Sequence, residues 1–235
     1  MQRVIIAGVL TLFLSATASA ADAFTDAMQQ AYVPYRVALF KTNNGTPDEA
    51  LKSVQQAKLA WTKITDQFSA QAPAPYDRDE NFAATLKQVM QIYDQAESQV
   101  TQKQLVQSHE TLEKIRNTLA DLRHRNQVIT YSDHMNAYHA VMEQLLEENK
   151  AILTKPDGIE QLIAKAGVLT YLSEKLRAEA PEQYRNQAEF AKLIENQNMA
   201  VDALQAALST KDKQAIQAAI SKLKQPYSRL FLKFG

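Results

Sequence analysis

Apolar residues recur every three or four positions over long stretches of this chain, which is the spacing of one face of an α-helix. The first stretch runs from Phe24 to Thr42 and ends at Asn43-Asn44-Gly45, a typical helix stop. Thr46-Pro47-Asp48-Glu49 then has the pattern of a capping box with proline in the first turn. The helix that begins there is predicted to continue through Phe68.

Six further helices are predicted from the same pattern. The segment Ala72-Pro73-Ala74-Pro75 interrupts it first, and later breaks separate the remaining stretches. The chain is rich in helix formers such as Ala, Gln, Leu, Lys and Glu, which indicates an all-α protein. The predicted helices run from about Asp79 to Val100, Lys103 to Asn126, Ser132 as N-cap to Asn149, Pro156-Asp157 to Ala178, and Pro181 to Leu208, with a last helix capped by Thr210.

Similar residues recur at a constant separation in the two halves of the chain, which indicates an internal repeat. Tyr76 and Phe82 have counterparts in Tyr184 and Phe190, each 108 positions later. Short connections between four helices favour an antiparallel bundle. The sequence therefore predicts two tandem antiparallel four-helix bundles related by internal duplication, over residues 21–128 and 129–235.

The N-terminal segment, residues 1–20, has the features of a cleaved secretory signal peptide. Met1-Gln2-Arg3 carries a positive charge, Val4 to Leu14 is apolar, and Ala18-Ser19-Ala20 places small residues at the cleavage site. An uncleaved anchor is the alternative, but the apolar run is short for a membrane span. These features predict a periplasmic protein without a transmembrane segment after cleavage.

Composition excludes several classes of function. The chain has no cysteine, which rules out disulfides, thiolate metal sites and the covalent attachment of a c-type haem. Lys plus Arg and Asp plus Glu are balanced at 26 each, so binding to nucleic acid is not indicated. The sequence contains no phosphate-binding loop and no hydrolase or metalloprotease motif, so we expect a non-catalytic protein.

A group of histidine and methionine side chains is the best candidate for chemistry. Met135, His139 and Met142 have i, i+4, i+7 spacing, which places them on one helix face. Thioether and imidazole ligands suit copper better than magnesium or calcium. All four histidines lie near the junction of the predicted bundles, at His109, His124, His134 and His139.

We therefore predict a periplasmic binding protein that buffers or delivers a metal ion, copper before iron, near the bundle junction. Met135, His139 and Met142 would be the ligands, assisted by His109 or His134. Core packing is the alternative explanation for the stripe, because methionine commonly fills gaps in helical cores. A different class of function also stays open: a cofactor-free structural or adaptor module that binds an envelope protein partner through a helical face.

The run from Phe82 to Gln127, with Leu112-x-x-x-Arg116-Asn117 inside it, resembles the cytochrome b562 and cytochrome c′ group of periplasmic bundles. The resemblance implies a four-helix bundle for each half of the chain. In the b-type family, haem lies between a first-helix methionine and a fourth-helix histidine. The resemblance thus implies a haem b held by Met28 and His124, although the aligned position is Ala120 and His124 comes one turn later.

Overall fold

The computed structural model describes residues 23–235, so the predicted signal peptide lies outside the described residues. Every regular element in residues 23–235 is helical, which confirms the all-α prediction. A short 3₁₀ helix at Tyr76–Arg78 precedes the third α-helix. The α-helices are α1 Ala23–Asn44, α2 Pro47–Phe68, α3 Phe82–Thr101, α4 Leu105–Arg125, α5 Tyr131–Ile152, α6 Gly158–Ala178, α7 Glu182–Arg185, α8 Ala188–Thr210, α9 Lys213–Ser221 and α10 Lys224–Phe234.

The capping box predicted before α2 is present. The side chain of Thr46 accepts a hydrogen bond from the backbone N–H of Glu49, and the Glu49 carboxylate accepts one from the Thr46 backbone at 3.0 Å. A second capping box begins α5, where Thr130 is the N-cap and Asp133 completes the box. The prediction that Ser132 caps this helix was therefore wrong by two residues, because Ser132 lies in the first turn.

The end of the chain also differs from the prediction. Thr210 is the last residue of α8, and the next helix is capped by Asp212, whose Oδ1 accepts from the Gln214 backbone N–H at 2.8 Å. The single helix expected after Thr210 is divided into α9 and α10. Pro226 lies in the first turn of α10, where a missing backbone N–H does no harm, so the sequence favours a new helix start there.

The helices pack in two groups that meet at one seam. The first helix group is α1–α4, with α1 against α2 and α4, and α3 against the same two helices. In the second helix group, α5 to α10, α8 packs against α6, α9 and α10, and α5 packs against α6, α9 and α10. Across the seam α1 contacts α10, and side chains of α4 contact α5. The buried apolar residues form one connected cluster that includes both groups.

None of the helices in residues 23–235 combines the length and apolar character that crossing a membrane requires.

Alanine substitutions at Gly158 and Gly167 should change stability in opposite directions. A Cβ at Gly158 would overlap the carbonyl group of Ile152, which is backbone and cannot rotate away. We expect Gly158→Ala to lower the free energy of unfolding by about 1–3 kcal/mol. A Cβ at Gly167, exposed in the middle of α6, meets no atom within 4 Å, so Gly167→Ala should raise stability by about 0.5–1 kcal/mol. Urea denaturation of the two variants measures the direction of each change in the free energy of unfolding. A Gly158→Ala variant as stable as the wild type would contradict the close approach of Gly158 to the Ile152 carbonyl.

Candidate functional site

A cavity of about 40 Å³ opens at the seam, which is space for about three water molecules. Helices α1 and α4 of the first group and α5 and α10 of the second all contribute to its wall. Many of the side chains in its wall are charged or polar. The residues that carry the chemistry are Arg36, His109, Glu113, Arg116, His139, Met142, Glu143, Lys224, Tyr227 and Phe231.

Helical spacing explains why these side chains meet. His109, Glu113 and Arg116 are spaced i, i+4, i+7 on α4 and therefore share one face. On α5, His139 and Glu143 are four residues apart, and the His139 ring lies close to the carboxylates of both Glu143 and Glu113. The distance from His139 Nε2 to Glu113 Oε1 is 3.6 Å, and to Glu143 Oε1 it is 3.5 Å.

His139 is held as a neutral imidazole by its neighbour Arg116. The guanidinium Nη1 donates to His139 Nδ1 at 2.5 Å, and because arginine keeps its protons, Nδ1 is the acceptor. The ring proton is thus assigned to Nε2, which faces the two glutamates. Burial, followed by the positive charges of Arg116 and Lys224, lowers the pKa of His139 to about 2.

His109 has the opposite tautomer. Its Nδ1 lies 3.1 Å from the carbonyl oxygen of Leu39, which can only accept, so this nitrogen carries the proton. The free acceptor is Nε2, 3.7 Å from Glu113 Oε1. Burial lowers the pKa of His109, although the charge of Glu113 opposes the shift. One cavity therefore presents an imidazole donor from His139 and an imidazole acceptor from His109.

Two buried arginines bring more positive charge than their neighbours neutralise. Arg116 is 5% exposed, and its closest carboxylate is Glu113, 3.9 Å away. Arg36 is 6% exposed and donates to the Lys233 carbonyl at 3.4 Å, with no carboxylate within 4.0 Å among residues 23–235. The Nε–H groups of both arginines lack a hydrogen-bond partner in the same part of the chain.

Only some of the methionine and histidine residues predicted as metal ligands on α5 lie in the wall of the cavity. His139 and Met142 line the cavity, whereas Met135 is fully buried elsewhere in the core, with its carbonyl accepting from Tyr227 Oη at 3.2 Å. His134 is only partly buried and lies near the charges of α6 rather than in the cavity wall. Within residues 23–235 no three His, Asp or Glu side chains are arranged as a metal-binding group.

The predicted haem ligands lie in different environments. Met28 is 1% exposed, and its sulfur is contacted by Arg123 Nη1 at 3.8 Å. The side chain of His124 is 60% exposed and lies 3.8 Å from Asp133 Oδ1. Arg123, rather than His124, therefore reaches the sulfur of Met28.

The sequence analysis did not identify Arg36 and Arg116, the two arginines that line the cavity, as site residues. Arg36 follows Tyr32 and Tyr35 on α1, and Arg116 follows Leu112 and Ile115 on α4, so both stand in apolar helix faces. A charged residue inside an apolar stripe is the signal that could have found them, because charges are rarely buried without a partner.

Acid should destabilise the protein through His139. The folded state keeps this ring neutral because burial and neighbouring cations lower its pKa to about 2, whereas the unfolded chain binds a proton near pH 6.5. The unfolded state therefore binds more protons below pH 6.5, so stability is complete above this pH and is lost as the pH falls. Between pH 7.5 and 5 we expect a loss of about 2 kcal/mol from this one residue.

Urea denaturation at pH 7.5, 6 and 5 measures this loss. His139→Gln should flatten the dependence on pH, whereas His124→Gln, at an exposed ring, should keep the wild-type slope. Asp133 titrates below this range, since burial raises its pKa but the hydrogen bonds and charge of Arg123, together with the hydrogen bonds from Thr130, lower it below 3.8. An unchanged slope in His139→Gln would contradict the neutral, buried imidazole.

Comparison of the chain with protein-family models, with curated proteins and with solved structures finds no match in any of the three. The likeness to the cytochrome b562 and cytochrome c′ group is therefore limited to the all-helical fold, and the site has to be interpreted from its own geometry.

Proposed function

We propose that this protein is an exported, non-catalytic binding protein that holds a small ligand in the seam cavity. The observation that carries the proposal is the convergence of buried and half-buried polar side chains from both helix groups on one cavity. Arg116 is buried in the wall of this cavity and its Nε–H has no hydrogen-bond partner within residues 23–235, and an unpaired buried donor costs stability. A bound ligand that pairs with the Arg116 guanidinium removes part of that cost.

The experiment compares the ligand content of two variants. Protein recovered from its native compartment is examined by native mass spectrometry for a non-covalent adduct. Ser228 lines the cavity, so Ser228→Phe should fill it and abolish the adduct, whereas Ser221→Phe, exposed on α9, should retain it. An adduct that survives in Ser228→Phe would place the ligand elsewhere and contradict the proposal.

Export through the predicted signal peptide is part of the same proposal. Cleavage after Ala20 gives a mature chain that begins at Ala21. The intact mass of protein from the periplasmic fraction should correspond to this start. A full-length mass, or recovery only from the cytoplasm, would contradict the proposed location.

The architecture that we propose for this function is a pair of duplicated antiparallel four-helix bundles, residues 21–128 and 129–235, joined at the seam. Two aromatic clusters in the same register support it. Tyr76 and Phe82 belong to the first cluster, and their counterparts Tyr184 and Phe190 belong to the second. Superposition of the two halves tests the duplication, which predicts an offset of 108 residues.

Metal binding, with copper before iron, is the second candidate function. His109 favours it, because an imidazole ligand usually donates its other ring N–H to an oxygen, as Nδ1 does here to Leu39. Met142 adds a thioether to the same cavity. Arg116 opposes ligation by His139, since a guanidinium donor already occupies Nδ1 and the proton is on Nε2.

Titration with Cu(I), Cu(II) and Fe(II) separates the two candidates. The metal hypothesis expects tight binding that is lost in His109→Ala and weakened in His139→Ala, with His124→Ala as the control at an exposed ring. Equal, weak binding by all four proteins would leave the metal hypothesis without support. A visible absorption spectrum of the same samples tests the haem b alternative through its Soret band.

A further inference from the structure

We propose that the outer face of α6 is the interface of a homodimer, in which two copies of the chain pack α6 against α6 in antiparallel orientation. No residue of α6 lines the seam cavity, so this inference goes beyond the proposed function and does not depend on it. It rests on the burial pattern of α6, on the positions of its unpaired charges and on the sizes of its exposed side chains.

Helix α6 is apolar on the side that faces the core and also on the side that faces away from it. Its inner side includes Leu162 and Leu169, which are fully buried. On its outer side, Ile163, Val168 and Tyr171 are 49%, 48% and 61% exposed. A helix that is apolar on both sides is usually covered on both sides, so the outer face of α6 lacks a partner within residues 23–235.

The exposed hydrophobic residues of the protein are concentrated on this face. Eight large hydrophobic side chains are exposed in residues 23–235, and three of them lie within nine positions of α6. The other exposed positions between them are Ala164 and Gly167, so the stretch exposes no charged residue. Single exposed hydrophobic residues are common on protein surfaces, whereas a contiguous patch marks an interaction site.

Charges of opposite sign lie at the two ends of this patch. Glu160 precedes it and Lys175 follows it, whereas the ion pairs of α6 in the described part of the chain involve Lys165 and Arg177. Glu160 and Lys175 are each about 11 Å along the helix from the midpoint between residues 167 and 168.

This equal spacing makes a second copy of α6 the partner that the face fits. Two antiparallel copies that share the midpoint place Glu160 of one copy opposite Lys175 of the other, and the two-fold symmetry forms this pair twice. A parallel arrangement would place Glu160 opposite Glu160 and Lys175 opposite Lys175, which repel each other. The charges therefore favour the antiparallel dimer.

The antiparallel arrangement also fits the sizes of the side chains. It places Tyr171 of one copy opposite Ala164 of the other. A Cβ at Gly167 would meet no atom within 4 Å, so the surface beside this residue is open, and a groove between α6 and α8 runs past it. A large residue thus faces small ones in both copies, which makes the surface self-complementary, as a two-fold interface requires.

Sedimentation equilibrium of the full mature protein, from micromolar to millimolar concentration, tests the association. We expect the mass to rise from one chain to two. Tyr171→Glu should weaken the dimer at least about 30-fold, because it buries a carboxylate without a partner at the interface. Leu59→Glu, at a side chain that is 60% exposed on α2, is the matched control and should associate like the wild type. A monomer at every concentration, or a dimer that Tyr171→Glu leaves unchanged, would overturn the inference.

Charge reversal tests the antiparallel pairing. Glu160→Lys and Lys175→Glu should each weaken the dimer about tenfold, since each substitution places like charges opposite each other twice. The double variant restores both pairs of opposite charge and should dimerise within about threefold of the wild type. A double variant no stronger than either single variant would show that these residues do not pair across the interface.

Crosslinking locates the two-fold axis. The chain has no cysteine, so an introduced cysteine is its only thiol. Val168→Cys lies beside the proposed axis, where packed helices are about 8–10 Å apart, so a short bismaleimide should join two chains. Val106→Cys, at a side chain that is 68% exposed on α4, is the control and should stay uncrosslinked. Absence of crosslinking in Val168→Cys, or equal crosslinking of both variants, would overturn the location of the interface.

Discussion

Asp133→Leu is expected to lower the free energy of unfolding by about 3–5 kcal/mol, because it leaves the Arg123 guanidinium buried without its counterion. Arg123 is 1% exposed and binds both carboxylate oxygens, with Nε at 2.9 Å from Oδ2 and Nη2 at 2.5 Å from Oδ1. Asp133 also accepts from the backbone N–H of Thr130 at 2.8 Å and so caps α5. One substitution therefore removes an ion pair across the seam and a helix cap.

Urea denaturation of a double-mutant cycle measures the pair itself. The variants are Asp133→Leu, Arg123→Met and the double substitution, which should be more stable than the sum of the single losses predicts. Glu195→Leu is the matched control, since its partner Arg177 lies 3.5 Å away and both side chains are more than half exposed. We expect the control to change stability by less than about 1 kcal/mol. Equal losses at the buried and the exposed pair would contradict the argument.

Most of the helices could be predicted from the sequence because the residues that begin and end a helix lie close together in the chain. The stop at Asn43-Asn44-Gly45 and the capping box at Thr46 depend on residues within one turn, and α1 and α2 end and begin there. The cap of α5 was missed because Asp133 stands where a capping box usually has Glu or Gln. The division between α9 and α10 was missed although Pro226 indicated it.

The candidate site was only partly predictable because its residues come from distant parts of the chain. Spacing on α5 placed His139 and Met142 on one face, and both line the cavity. The same geometry separates His134 from His139, since five residues turn a helix by about 140°. No local pattern indicates that Arg36 of α1 or Lys224 of α10 lies beside them, because only the packing of the two helix groups brings those helices together.

A second large loss of stability is expected for Phe24→Ala, about 3–5 kcal/mol. The ring of Phe24 is fully buried and makes edge contacts with three aromatic rings, those of Phe68 at 5.4 Å, Tyr76 at 4.8 Å and Phe82 at 4.9 Å. Alanine would leave a cavity that these three rings cannot fill without leaving their rotamers. Leu59→Ala, at a side chain that is 60% exposed, is the control and should cost less than about 0.5 kcal/mol.

The way in which Phe24→Ala unfolds also reports on the seam. Trp61, the only tryptophan, is buried in α2, so its fluorescence follows the first helix group, whereas circular dichroism follows both groups. Because the buried apolar cluster is continuous and Arg123 joins α4 to α5, the two signals should change at the same urea concentration. Fluorescence that changes first would mean that the first helix group unfolds alone, and that the seam is too weak to hold a preformed ligand cavity.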